Sequence, residues 1–173
     1  MLDIAQQTIA YYTKYKKIPQ ISDLKISDTT LLKRQAQIFV TIYYKEIAGS
    51  SGNMKEIEDS AAQEIITNTI GAISKDPRFS PITIDQVSDL KIRIDEITSR
   101  EVLTDEKQLA KMDPVKHVIA IKQDYSDLCV ILPNISPLLM MGSDIGAISQ
   151  KLSDFNEKTL HIYKIETNSI NNI

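Results

Sequence analysis

The chain has one cysteine, two histidines and five glycines in 173 residues, and these shortages remove several kinds of chemistry. A lone Cys129 cannot close an intrachain disulfide or supply two thiolates to zinc, and its setting, Leu128-Cys129-Val130-Ile131-Leu132, is the apolar run of a buried strand. His117 and His161 do not form a His-Glu-x-x-His pair and the carboxylates are scattered, so no metal site is expected. The Gly-x-Gly-x-x-Gly fingerprint and the P-loop lysine are both missing. No stretch approaches the roughly 20 apolar residues that cross a bilayer, and Asp3 interrupts the start where a signal peptide would be basic and then apolar. With a net charge of −3 and both signs interspersed, there is no field for holding nucleic acid. A cytosolic protein without cofactor is the expectation.

What is present is a core. Hydrophobic residues make up 42% of the chain, enough for one well-buried domain. Leu2 to Tyr15 reads as a helix starting at Asp3, with Ile4, Ile9 and Tyr12 on one side, and Ile18-Pro19 stops it. A short helix is expected near Leu31 to Arg34. Ile38 to Tyr44 is β-branched and aromatic and predicts a strand, followed by a connection from Lys45 to Asn53. Ile57, Ala61, Ile65, Ile66, Ile70 and Ile73 form the stripe of a central helix beginning between Asn53 and Ser60, where Ser60 and Gln63 have capping-box spacing. Asp76-Pro77-Arg78-Phe79 ends it, because proline disfavours helical geometry in the preceding residue.

Thr83 to Gln86 is a second capping box, for a short helix through Leu90. Lys91 to Ile97 alternates Ile92 and Ile94 with charged residues, as a strand with one wet face would. A helix from Thr104 to Met112, a hairpin of Val118 to Lys122 with Leu128 to Leu132, a helix from Ser143 to Leu152 and a strand from Leu160 to Glu166 complete the series. The residues from Asn168, 168–173, read as a flexible tail. Strands and helices mix without strict alternation, which favours α+β with a mainly antiparallel sheet.

Gln37-Ile38-Phe39-Val40-Thr41, Asp76-Pro77-Arg78-Phe79, Lys116-His117-Val118-Ile119 and Ile131-Leu132-Pro133-Asn134 occur in an order and spacing that resemble the AMMECR domain family. The resemblance runs from the first helix to the strand around Tyr163. It implies an intracellular α+β domain with a larger and a smaller lobe, built from related β-α-β-β units and without an established activity. It also implies partners, since prokaryotic proteins of this kind are associated with Memo-like and radical S-adenosylmethionine proteins. The family motif Leu-Arg-Gly-Cys-Ile-Gly falls on Ile47-Ala48-Gly49-Ser50-Ser51-Gly52, where only the two glycines survive. Ala48 and Ser50 remove the arginine fork and the thiol together.

Two classes of function stay open. One is a binding or accessory module whose partner surface includes the apolar run Leu138, Leu139, Met140 and Met141. The other is an enzyme or metabolite-binding protein using a groove near Gly49, Gly52, Arg78 and His117. There Ser50 or Ser51 would be a hydroxyl nucleophile on a glycine-rich turn with His117 as base, or backbone N–H groups of Gly49 to Gly52 would cradle an anion. The weaker candidates are the hairpin-tip pair Asp124 and Asp127, and Tyr11-Tyr12-Thr13-Lys14-Tyr15-Lys16-Lys17, whose aromatic and basic residues could meet nucleic acid. Turn chemistry accounts for the first and a helix C-terminus for the second.

Overall fold

A computed structural model describes residues 1–45, 47–77, 79, 81–103, 108, 118–123, 129–131 and 160–173, with backbone alone for 103, 118–123, 129–131 and 160–162. The helices are α1 (Leu2–Tyr15) and α2 (Ala61–Ser74). The strands are β1 (Ile38–Tyr44), β2 (Ile47–Gly52), β3 (Lys91–Leu103), β4 (Val118–Gln123), β5 (Cys129–Ile131) and β6 (Leu160–Asn171). The chain divides into two compact units, one of residues Met1–Ile97 with Asn168–Ile173, the other of Thr98–Thr167.

The first unit is a sheet packed on two helices. β1 pairs antiparallel with β2 on one side and with β3 on the other, with Thr41 opposite both Ser50 and Arg93. Because side chains alternate across a strand, Ile38, Val40, Ile42, Ile92 and Ile94 share the face that meets Ile65, Ile66, Ile70 and Ile73 of α2. Ile4 and Ile9 of α1 join the same core. Each of these isoleucines contributes about 1.5–3 kcal/mol by leaving water.

Local chemistry sets the helix ends. The Ser60 hydroxyl accepts from the Gln63 N–H at 3.2 Å, so α2 starts at the later of the expected positions. Ile57 lies outside the helix and is 57% exposed, so it does not extend the stripe upstream. The N–H of Ala61 donates to the Arg34 carbonyl at 2.7 Å, while the Arg34 guanidinium forks onto Glu96 at 2.5 and 2.9 Å. One residue thus ties the start of α2 to β3. α1 closes with Lys16 in the left-handed region at φ 54°, its N–H on the Tyr12 carbonyl. The two expected short helices are 3-10 turns, Thr29–Leu32 and Ile84–Asp89, the second carrying the Thr83 N–H to Gln86 carboxamide bond at 3.0 Å, and Ile21–Asp23 forms another.

Three expectations are corrected. Lys45 to Asn53 is not a simple connection: Tyr44 faces Ile47, and residues 47–52 are strand β2. Gly and Ser have low strand propensity, but pairing with β1 and packing under α2 outweigh it. The second face of β3 is not wet. Arg93 and Asp95 are 7% and 0% exposed. The Arg93 guanidinium forks onto Asp95 at 2.8 Å twice, and Ser169 bonds both partners. Finally, the chain from Asn168 is the end of β6 rather than a flexible tail. The Asn172 side chain accepts from the Ile92 N–H at 2.6 Å and its own N–H donates to the Ile92 carbonyl at 3.2 Å.

In the second unit β4 pairs antiparallel with β5 and with β6, placing Ile121 opposite Cys129 and Lys122 opposite His161. The antiparallel pairing of these two strands is as expected, and the connection between them lies outside the described residues. The expected helices at Thr104 to Met112, apart from Gln108, and at Ser143 to Leu152 lie outside the described residues.

Candidate functional site

The glycine-serine stretch meets Asp76 and Phe79 at β2. The Asp76 carboxylate accepts from the Ser50 N–H at 2.9 Å, and the Phe79 N–H donates to the Asp76 carbonyl at 3.1 Å. Ser50 lies opposite Thr41, and its N–H goes to Asp76 rather than to β1. Asp76 thus caps an N–H on the outer edge of β2, a group that would otherwise invite another strand. Phe79 packs beside Gly49, and Asp76-Pro77 with Phe79 fastens the end of α2 to the edge strand.

The two surviving glycines are explained by space. A side-chain carbon at Gly49 would collide with the Ala72 carbonyl of α2 and lie 2.8 Å from the Phe79 ring. At Gly52 it would run into the Phe39 ring. Neither glycine has positive φ, so the backbone is extended strand and the anion-cradling loop is not formed. The glycine-rich turn expected to carry a serine nucleophile is likewise a paired strand.

Ser50 and Ser51 face opposite sides of the sheet and do not form a joint site. The Ser50 hydroxyl is 3.1 Å from that of Thr41, and no titratable base bonds it among the described residues. Ser51 points to the helix side, against Gly71, and donates to the Asn68 Oδ1 at 3.1 Å. Asn68 Nδ2 donates to the Ile38 carbonyl at 3.0 Å and to Glu64 Oε1 at 3.1 Å. Glu64 Oε2 accepts from the N–H groups of Glu58 at 3.1 Å and Ile57 at 3.4 Å. Glu64 and Asn68 are each 1% exposed. Burial pushes the Glu64 carboxyl above the ordinary range, although the Asn68, Ile57 and Glu58 donors pull it down.

This polar chain was not anticipated, though a signal for it existed. Glu64 and Asn68 stand one turn apart between Ala61, Ile65 and Ala72, and polar residues on the apolar side of a helix must pair with one another. On the opposite face of the sheet, the buried Tyr43 hydroxyl has no hydrogen-bond partner among the described residues. Burial raises its pKa, with Arg93 and Asp95 acting in opposite directions.

His117, Arg78, Asp124, Asp127 and Leu138 to Met141 lie outside the described residues. His161 and Cys129 are placed by backbone alone, on β6 and β5. Among the described residues no three histidines, cysteines or carboxylates cluster as metal ligands. No helix of the described residues is long and apolar enough to cross a membrane.

Antiparallel strands with two packed helices make this an α+β protein, organised around a glycine-bearing edge strand and the turn that caps it. The chain belongs to the AMMECR1 family, whose model matches residues 2–152. A Thermotoga maritima protein is 31% identical over 121 residues, 68% of this chain and 67% of its own length. A Methanosarcina barkeri protein is 24% identical over 144 residues, 81% of this chain and 70% of the relative. A Clostridium acetobutylicum protein, 28% identical over 134 residues, matches 76% of this chain but only 27% of its own length. The crystal structure of an uncharacterized Pyrococcus horikoshii protein, PH0010, superposes with a TM-score of 0.75 at 19% identity, covering 96% of this chain and 86% of the other. That likeness shows the fold.

Proposed function

We propose that this chain is a cytosolic binding or accessory module that acts with Memo-like and radical S-adenosylmethionine proteins on a shared substrate. What supports this reading is the use made of Ser50, at the position of the family thiol. Its hydroxyl pairs with Thr41 and its N–H with Asp76, and Ala48 stands where the family arginine would be. The Ser50 hydroxyl is taken up by a cross-strand bond and its N–H by a cap on the sheet edge. A tagged pull-down from native cytosol tests the reading, with partners identified by mass spectrometry against an untagged control. Memo-like or radical S-adenosylmethionine proteins should be recovered, and recovered equally with Ser50→Ala. Recovery of the bait alone would overturn it.

The second reading, an enzyme or metabolite-binding protein, is favoured by one observation. The Tyr43 hydroxyl, buried without a hydrogen-bond partner among the described residues, shares a sheet face with Ser50, Thr41 and Arg93. A metabolite bound there should protect the protein thermally, and Tyr43→Phe should abolish that protection.

A further inference from the structure

We draw no further inference here: the strongest candidate, the polar face of the sheet around the buried Tyr43 hydroxyl, belongs to the site already described, and nothing among the described residues shows what covers it.

Discussion

Replacing Asn68 with alanine should destabilise the protein by about 3–4 kcal/mol. The side chain makes three hydrogen bonds in a place that water does not reach, two as donor to the Ile38 carbonyl and Glu64 and one as acceptor from Ser51. Truncation leaves those three partners buried with a bond missing, and each such loss costs about 1–3 kcal/mol. The lower part of the summed range is expected because Ser51 can turn its hydroxyl and Glu64 keeps its two backbone donors. Urea unfolding followed by far-UV circular dichroism gives the number. With a slope near ~2 kcal/mol/M, the midpoint should fall by about 1.5–2 M at unchanged slope. Ser51→Ala alone should cost about 1 kcal/mol, and the double variant less than the sum, since both substitutions break the same bond. A loss below about 1 kcal/mol for Asn68→Ala, or strict additivity with Ser51→Ala, would refute the network as a stabilising unit.

Glu64 supplies a pH test of the same network. Its folded pKa is raised, chiefly by burial, so its contribution to stability is full below the unfolded carboxylate value of about 4.3 and is lost as pH rises through the folded value. The stability of the parent chain minus that of Glu64→Gln should therefore fall with pH across that window, and a flat difference by urea titration would contradict the assignment. Gly49→Ala should lower the melting temperature, at a cost of about 1–3 kcal/mol, because the added carbon meets the Ala72 carbonyl and the Phe79 ring. Unchanged melting with altered ligand binding would instead return Gly49 to a ligand site.

Much of the first unit was legible because its signals were physical and local. The β-branched run from Ile38, the apolar stripe from Ala61 to Ile73, and the Ser60 cap each specify one conformation. β2 was not legible, since Gly49-Ser50-Ser51-Gly52 carries the composition of a turn, and only its partners, β1 and α2, make it a strand. Arg93 and Asp95 misled for a related reason. Alternation marks which residues share a face, but whether that face is wet depends on what covers it. The length of β6 was missed because Thr167-Asn168-Ser169 reads as polar tail, while Ser169 and Asn172 are held by Asp95 and Ile92. The candidate site was least legible of all: Ser50 and Ser51 are neighbours in sequence and lie on opposite faces of a strand.

That separation of faces divides the constraints on β2. Gly49 and Ser51 look toward α2, where the Ala72 carbonyl, Phe79 and Asn68 leave no freedom. Positions 48 and 50 are on the other face, opposite Tyr43 and Thr41. Ala48 and Ser50 therefore take no part in the helix packing. Asp76 secures position 50 through its backbone N–H, a contact indifferent to the side chain there. The fold constrains the glycine of position 49 and the aspartate, while the residues of positions 48 and 50 answer to whatever the sheet's other face does. With Ala48 and Ser50 there, that face carries small, uncharged side chains on β2 while the other face holds the helix packing.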